Sequence, residues 1–289
     1  MPDLNFFKNL LIRNIQAILR QNSIYAIWSP TANWGDAISP ILIKSLSGKN
    51  PILVDKFTLN LLKRPVFTAT GSILGNAHVE RHLKETNIWG IGFISKDERL
   101  KGEPKSILSV RGPLTRDILL EQDIQCPEIF GDPALLFPLF YRPDLNKRYK
   151  LGIIPHYTDK DSDTLNQFKG NQDILIIDIE SPINLVVDQI NMCENIASSS
   201  LHGVIASDAY GVPSTWIELS KNVAGEGFKF RDYLKSVCRE EQEPFRLSRN
   251  TSFDDLMDTF YDYRIEIDIK ALLKSCPFSN DHTIGWLLQ

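Results

Sequence analysis

Short apolar runs without polar alternation recur along the chain, and turn residues and helix-like segments separate them. Runs this short and continuous are typical of strands buried on both faces of a parallel sheet. In the first half the predicted strands are residues 24–29, 51–54, 66–71, 87–92 and 106–112. Helix-like segments cover residues 37–48 and 113–122. The pattern predicts an α/β fold built from βα units.

The same alternation restarts after residues 137–149, where prolines, arginines and lysines with little periodicity predict a linker. The predicted strands of the second half are residues 150–157, 173–178, 194–197 and 214–219. Helices are predicted at residues 181–193 with Pro182 in the first position and after Ser200 as far as Gly211, and the tail from residue 230 to residue 276 is predicted to be helical. Two such arrays predict two Rossmann-like domains facing a cleft, residues 1–145 and residues 146–289, the second with a helical C-terminal tail.

Composition narrows the class of protein. The chain has 289 residues, of which 43% are hydrophobic, so it can bury a sizeable core. Its formal net charge of −4 gives no sign of nucleic-acid binding. The four cysteines (Cys126, Cys193, Cys238 and Cys276) are far apart and form no CxxC pair. We expect reduced thiols in a cytoplasmic protein.

The N-terminal stretch is apolar but interrupted by cations at helical intervals. Lys8, Arg13 and Arg20 make it unsuitable as a transmembrane span. An amphipathic helix fits better, with one broad face formed by Phe6, Phe7, Leu10, Leu11, Ile15 and Leu19. Packing on the domain is the simpler interpretation, and peripheral membrane contact through residues 1–20 at the inner face of the membrane is the alternative.

Two glycine-containing turns follow predicted strands of the first half. The sequence NWGD places Asn33, Gly35 and Asp36 directly before a helix, where Asp36 is suited to the N-cap. The sequence TGS places Gly71 and Ser72 after another strand, where a ligand can approach the backbone closely. Capping and chain reversal alone explain both turns equally well. Neither has the GxGxxG spacing of a dinucleotide site, so a nicotinamide cofactor is not expected.

Two charged residues follow later strands of the same half. Arg111 ends a strand and precedes Gly112 and Pro113, which begin a helix, so its guanidinium is expected near the carboxyl edge of the sheet. There it can bind a carboxylate or phosphate through two parallel hydrogen bonds, or form a structural salt bridge. Asp132 occupies a similar position, as a cap or as a functional carboxylate.

In the second half two histidines follow strands. His156 ends one strand, and the sequence SSSLHG places Ser199, Ser200, Leu201 and His202 at the start of a helix. Backbone N–H groups without intrahelical partners and the positive end of the helix dipole can hold an anion there. The chain has no HExxH motif, no clustered Cys/His ligands and no carboxylate-rich loop, so no metal site is expected. A GxSxG elbow and a Walker A loop are also absent.

Taken in order, these stretches resemble the polysaccharide pyruvyltransferase family, and its bacterial exopolysaccharide branch in particular. The motifs are NWGDAISPILI, TGSIL, IWGIGF, SVRGPLTRDIL, GDPALLFP, IPHY and SSSLHGVIASDAYGVP. The resemblance implies transfer of the enolpyruvyl group of phosphoenolpyruvate (PEP) to two hydroxyls of a sugar, which gives a cyclic pyruvate ketal and phosphate. It also implies a fold similar to that of GT-B glycosyltransferases and a sugar or lipid-linked oligosaccharide as acceptor. PEP is the donor substrate, and no cofactor is implied.

The resemblance assigns roles to the candidate residues. Arg111 and the helix start at residues 199–202 are expected to bind PEP, with His202 as the acid that protonates the methylene carbon or as a phosphate ligand. Asp36 or Asp132 is expected to act as base toward the sugar hydroxyl. The expected substrate-binding residues are Arg111, Ser199, Ser200, Leu201, His156, Asn33, Gly35, Gly71 and Ser72.

One position departs from the family pattern. Many relatives carry an arginine two residues before the histidine, and this chain has Ser200 there. The hydroxyl and backbone donors of residues 198–200 are one replacement for the missing charge. Lys229 or Arg231, from a later segment, is another.

Two other functions remain open at this stage. A GT-B-like glycosyltransferase would bind a nucleotide sugar in the second domain, with its base near Tyr157 and its ribose held by Glu218. A non-catalytic member would bind a glycan or a biosynthetic partner, and only the serine at position 200 favours it.

Overall fold

The computed structural model describes residues 22–240, 243–279 and 285. The helix predicted near the N-terminus lies outside these residues. Ten described strands form two five-stranded sheets, and every strand pair is parallel. The α/β class predicted from the continuous apolar runs is therefore confirmed, with two Rossmann-like sheets.

The first sheet has the strand order β2-β1-β3-β4-β5. Its strands are β1 (Ser23–Ile27), β2 (Asn50–Leu53), β3 (Val66–Thr68), β4 (Thr86–Ile88) and β5 (Ser106–Ile107). After β2 the chain crosses to the other side of β1, where Tyr25 pairs with Val66. The topological switch point of this sheet thus lies between the carboxyl ends of β1 and β3.

The second sheet has the strand order β10-β9-β8-β6-β7. Its strands are β6 (Tyr149–Ile154), β7 (Ile174–Ile176), β8 (Cys193–Ser198), β9 (Ser214–Glu218) and β10 (Phe245–Arg246). The chain again reverses direction after its second strand, because β8 returns to pair with β6 through Ile153 and Ala197. The second switch point lies between the carboxyl ends of β6 and β8.

Nine α-helices are defined within the described residues. They are α1 (Trp34–Ala37), α2 (Ser39–Ser47), α3 (Ala77–Arg81), α4 (Pro113–Leu120), α5 (Ile183–Asn191), α6 (Leu201–Ala209), α7 (Phe228–Ser236), α8 (Phe253–Met257) and α9 (Ile269–Lys274). Three 3₁₀ helices cover Leu83–Glu85, Pro133–Leu139 and Asp163–Phe168. None of the described helices is long and apolar enough to cross a membrane.

Two predicted helix starts are wrong. The N-cap of the first helix is Asn33, whose side-chain oxygen accepts the Gly35 N–H at 3.3 Å, so Asp36 lies inside the helix. This helix begins earlier than predicted because the apolar ring of Trp34 is fully buried. Pro182 is the N-cap of α5 rather than its first helical residue.

The predicted linker at residues 137–149 is only partly irregular. Its first residues belong to the 3₁₀ helix Pro133–Leu139, in which Leu136 and Phe137 are buried. Residues 141–148 have no regular secondary structure, and β6 follows them. The division of the chain into domains at residue 145 stays a prediction.

The two sheets share contacts through their helices. Trp34 and Ile38 lie in the same apolar cluster as Val204 and Trp216, and the Trp34 N–H donates to the Ile179 carbonyl at 2.9 Å. The first half thus covers part of the second sheet.

The tail helix α9 belongs to the second half of the chain but packs against the first sheet. Leu272 and Leu273 share a buried cluster with Ile24 and Trp89. The indole Nε1 of Trp89 donates to the Leu272 carbonyl at 3.1 Å, which fixes the position of α9.

Candidate functional site

The two switch points open onto one cavity of about 210 Å³. Segments after β1, β3, β6 and β8 line it, together with the stretch between β9 and α7. Predicted site residues in its lining are Asn33, Asp36, Ser72, His156, Ser200, Leu201 and His202. The carboxyl-end rule therefore located them correctly. The volume is below the 300–1,000 Å³ that is usual for drug-sized ligands, so the cavity suits a small one.

Asn33 fixes the orientation of His202 across the two halves. Its side-chain oxygen accepts the Gly35 N–H and lies 2.6 Å from Nδ1 of His202. Because the backbone N–H identifies this atom as the amide oxygen, Nδ1 of His202 must carry the proton. Nε2 is then the acceptor nitrogen of the neutral ring. Gly35 makes this contact possible, since a Cβ at this position would lie 2.0 Å from Cδ2 of His202.

Both histidines of the cavity are neutral near pH 7. Burial, followed by the nearby charges of Lys229 and Arg111, lowers the pKa of His202 to about 3. Burial, followed by the charge of Lys229, lowers the pKa of His156 to about 4. In the ligand-free cavity neither imidazole is a proton donor of the imidazolium type.

Lys229 is the only lysine or arginine among the described residues that line this cavity. Its side chain is buried, with 8% exposed, and no carboxylate of the described residues lies within ion-pair distance of Nζ. Burial and, next, the Arg111 charge lower its pKa from 10.5 to about 8. A buried ammonium without a counter-ion favours binding of an anion.

Asp36 is the carboxylate among the described residues that line this cavity. The Thr31 hydroxyl donates to its Oδ2 at 2.7 Å. Burial raises the pKa of Asp36 to about 6, although the Thr31 hydrogen bond and the Lys229 charge oppose the rise. The group can therefore exchange a proton near neutral pH.

The three serines before α6 have different functions. Oγ of Ser198 accepts the Ser200 N–H at 3.1 Å, and Oγ of Ser199 accepts the His156 N–H at 2.8 Å. Ser199 lines the neighbouring cavity rather than this one. Ser200 is the N-cap of α6 and makes no capping bond through its side chain. Ser200, Leu201 and His202, at the start of α6, line the cavity, where the first N–H groups of a helix lack intrahelical partners.

Arg111 lies behind the cavity lining, fully buried. Its guanidinium forms an ion pair with Asp232 of α7 at 2.9 Å, and both side chains have no exposed surface. It also donates to the Phe93 carbonyl at 2.7 Å and to the hydroxyl of Ser72, which does line the cavity. The structure thus contains the salt bridge that was one of the two interpretations of this residue. Gly112 permits it, because a Cβ there would lie 1.9 Å from the Asp232 carbonyl oxygen.

Asp132 and Gly71 are buried below the lining. Asp132 is the N-cap of the 3₁₀ helix, with Oδ1 accepting the Ala134 N–H at 2.9 Å, and it has no exposed surface. Burial raises its pKa to about 7, against the hydrogen bonds from Ala134 and Gly71. Because Asp132 is fully buried and does not line the cavity, the structure does not support its direct contact with a sugar hydroxyl. A Cβ on Gly71 would lie 3.4 Å from Oδ1 of Asp36, so this turn lies directly against Asp36.

Several lining residues were not predicted from the sequence. They include Ser29, Thr31, Thr158 and Asn222. The first three follow β1 or β6, so applying the carboxyl-end rule to every polar residue after a strand would have found them. Lys229 was one of two suggested replacements for the arginine missing at position 200. The other, Arg231, is paired with Glu243 at 2.8 Å in the neighbouring cavity.

The two residues considered for a nucleotide sugar do not share a cavity. Tyr157 lines the site with its ring 4.3 Å from that of His156. Glu218 lines the neighbouring cavity, where it pairs with Arg246 at 3.0 Å. The geometry therefore gives no support to a base at Tyr157 with a ribose at Glu218. No group of three or more potential metal ligands occurs in the described part of the chain.

The fold and site together define an α/β protein with two parallel sheets and a small cavity lined by Lys229, Asp36 and the start of α6. Residues 71–221, just over half of the chain, match the family described as polysaccharide pyruvyl transferase. The chain belongs to this family. Ser72, Arg111, His156 and His202 all lie within the matched range.

The chain is also similar to two known proteins. An uncharacterized protein of Acanthamoeba polyphaga mimivirus is 30% identical over 236 residues, which cover 77% of this chain and 78% of the relative. The succinoglycan biosynthesis protein ExoV of Rhizobium meliloti is 26% identical over 177 residues, which cover 60% of this chain and 54% of that protein. Family membership supports transfer of a pyruvyl group to a polysaccharide.

Proposed function

We propose that the chain transfers the enolpyruvyl group of PEP to two hydroxyls of a sugar in a surface or exopolysaccharide, forming a cyclic pyruvate ketal and releasing phosphate. The observation that carries the proposal is the unpaired ammonium of Lys229, buried in a small cavity that also holds the N-terminus of α6. PEP combines a carboxylate and a phosphate in a molecule of this size. A positive charge and the N–H groups at a helix start are therefore both suitable for binding its two anionic groups.

The proposed reaction balances without an added cofactor. A proton is added to the methylene carbon of PEP, which makes C2 electrophilic, and one sugar hydroxyl forms a bond to C2. The second hydroxyl then attacks C2 while the C2–oxygen bond to phosphate breaks. Of the two protons released by the hydroxyls, one replaces the proton given to the methylene carbon and the other leaves with phosphate.

We assign the proton transfers to His202 and Asp36. The neutral tautomer has Nε2 as acceptor, and the negative charge of bound PEP raises the pKa of His202, which suits it to receive a proton from the attacking hydroxyl. Asp36, with a pKa of about 6, is suited to donate a proton to the methylene carbon. This is the reverse of the roles expected from the resemblance, and the Asn33 hydrogen bond is the reason. Asp132 has no direct role in this scheme.

We assign the charge missing at position 200 to Lys229. The positive charge of Arg111 lies directly behind Ser72, and it lowers the pKa of both Lys229 and His202. With Asp36 and Asp132 in their protonated forms, the two cations and the ionised carboxylate of Asp232 leave a net positive potential for the donor. The acceptor is a sugar or a lipid-linked oligosaccharide, and the scheme requires of it only the two hydroxyls that react.

Thermal unfolding with PEP tests the donor assignment. Ligand at about 100 times its Kd stabilises a folded chain by about 2.7 kcal/mol, a shift of several degrees in Tm. We expect this shift with millimolar PEP and none with a panel of nucleotide sugars. A shift with a nucleotide sugar alone would replace this function with glycosyl transfer, and no shift with either would favour a non-catalytic member.

The Lys229→Met variant is expected to have two opposite effects. Loss of the charged donor weakens PEP binding about 10- to 100-fold. The ligand-free variant is more stable, because a pKa lowered from 10.5 to about 8 corresponds to up to about 3 kcal/mol of disfavoured charge at pH 7. Calorimetric PEP titration and denaturant unfolding measure the two effects. Lys221→Met, at an exposed lysine of the neighbouring cavity, is the matched control and should change neither. A destabilised Lys229→Met with unchanged PEP affinity would contradict the assignment.

PEP affinity is also expected to depend on pH through Lys229. With a pKa of about 8 in the free protein, the ammonium is present below pH 8 and is lost above it. The Kd for PEP should therefore rise about tenfold per pH unit above pH 8. In Lys229→Arg the side chain stays protonated, and this alkaline rise should disappear. An alkaline rise that persists unchanged in Lys229→Arg would assign the titration to another group.

A further inference from the structure

Residues 56–64, here called the apolar loop, form an exposed apolar surface that has no role in the proposed reaction. The loop has the sequence KFTLNLLKR and connects β2, an edge strand of the first sheet, to β3. Four of its large apolar side chains are exposed: Phe57 (47%), Leu59 (43%), Leu61 (74%) and Leu62 (60%). They are four of the nine exposed large apolar side chains among the described residues, within six consecutive positions. Such clustering on a folded surface indicates an interaction site.

The tip of the loop is held in a defined turn. The side chain of Asn60 donates to the Arg64 carbonyl at 2.8 Å and accepts the Arg64 N–H at 2.9 Å. The Lys63 N–H donates to the Asn60 carbonyl at 3.0 Å, and Lys63 adopts a positive φ of 47°. Leu61 and Leu62 are thus the two central residues of a closed turn. The backbone conformation of this turn keeps both leucine side chains exposed.

The base of the loop is attached to the first sheet's helix α3. The imidazole Nε2 of His82, directly after α3, lies 2.9 Å from the Asp55 carbonyl, and the Lys56 N–H donates to Nδ1 of His78 at 3.1 Å. Thr58 is buried and donates to the Asp55 carboxylate at 3.0 Å. The loop therefore projects its leucines from a fixed base.

The charged residues within the loop itself are all basic. Lys56 and Lys63 are exposed on either side of the apolar side chains, and Arg64 follows. Residues 56–64 contain no carboxylate, although the chain as a whole has a net charge of −4. Aliphatic side chains at a convex tip with flanking cations match an anionic lipid surface, where the leucines enter the acyl boundary and the lysines reach the headgroups.

We infer that the apolar loop is a membrane-surface anchor that inserts Leu61 and Leu62 into an anionic bilayer. A second copy of the chain fits this surface less well, because two identical loops would bring like charges together. The anchor is separate from the cavity and does not depend on the donor that the cavity binds.

Vesicle co-sedimentation of the full chain tests the anchor. We expect binding to phosphatidylcholine vesicles that contain half phosphatidylglycerol and weak binding to phosphatidylcholine alone. Leu61→Ser/Leu62→Ser should lower partition to the anionic vesicles at least tenfold, and Lys63→Glu about fivefold or more. Leu185→Ser, at an apolar residue of α5 that is 43% exposed, is the matched control and should bind like the unmodified chain.

Three results would overturn the inference. The first is absence of binding of the unmodified chain to either vesicle. The second is unchanged binding of the double serine variant, which would assign the contact to another part of the chain. The third is an oligomer in solution that the double serine variant abolishes, which would make the loop a contact between copies. Circular dichroism and Tm of the variants confirm that each is folded, and PEP-induced stabilisation of the serine variant should be unchanged, which separates this test from that of the donor.

Discussion

Asp232→Asn is expected to lower the free energy of unfolding by about 3–5 kcal/mol, because it leaves the Arg111 guanidinium as an uncompensated buried charge. Both partners have no exposed surface, and Asp232 also accepts from the Thr115 hydroxyl at 2.7 Å. The substitution therefore disturbs a closed set of hydrogen bonds between α4 and α7. Urea unfolding at constant pH measures the loss.

The control for this prediction is an exposed ion pair. Lys150 and Asp173 lie 3.0 Å apart with side chains about half exposed, 54% and 48%. Lys150→Ala should cost less than about 1 kcal/mol, since water screens such pairs. In the double variant Arg111→Met/Asp232→Asn part of the loss should be recovered, because the unpaired cation is gone. Equal losses in Asp232→Asn and Lys150→Ala would show that the buried pair contributes no more than a surface pair.

Gly35→Ala is expected to reduce pyruvyl transfer about 100-fold. Its new Cβ would lie 2.0 Å from the His202 ring, so the imidazole must move by more than 1 Å and lose its 2.6 Å contact with Asn33. A displacement of that size at a reacting group costs about two orders of magnitude in rate. Phosphate release from PEP, with the glycan that supports turnover of the unmodified chain, measures it. Imidazole ¹⁵N shifts should show that His202 loses its fixed tautomer.

Gly102→Ala is the matched control. The nearest atom to a Cβ at Gly102 is Cδ2 of Leu83 at 3.8 Å, and its φ is not positive. This variant should keep full activity and stability. An active Gly35→Ala with an unchanged His202 spectrum would remove the orienting function from the Asn33–His202 contact.

The sequence predicted the strands well because the physical signal is local. Residues 24–28 and 151–154 contain no charged or hydroxyl-bearing side chain other than Tyr25, since both faces of each sheet are covered, and their spacing follows from the βα repeat. Strand ends then located Asn33, His156 and His202 near one another, because parallel strands place their carboxyl ends at one edge. Short elements without periodicity were missed: α3 was not predicted, and β10 lies inside the tail that was predicted to be helical.

Partners of charged residues could not be predicted from the sequence. Arg111 and Asp232 are 121 residues apart, and no local pattern connects them. Lys229 follows an irregular segment, and its burial results from packing between the sheets. Arg111 pairs with Asp232 behind the cavity, whereas Lys229 lines the cavity. Only the tertiary structure contains that information.

The position of α9 also has a consequence for synthesis of the chain. The helix covers Trp89 of the first sheet, yet it follows β5 by about 160 residues. At a ribosomal rate of about 5–20 residues per second, that surface stays open for roughly 10–30 s after β5 is made. During this interval the second sheet is translated in full. Nascent chains therefore present the indole surface to chaperones until the C-terminal segment emerges and closes it.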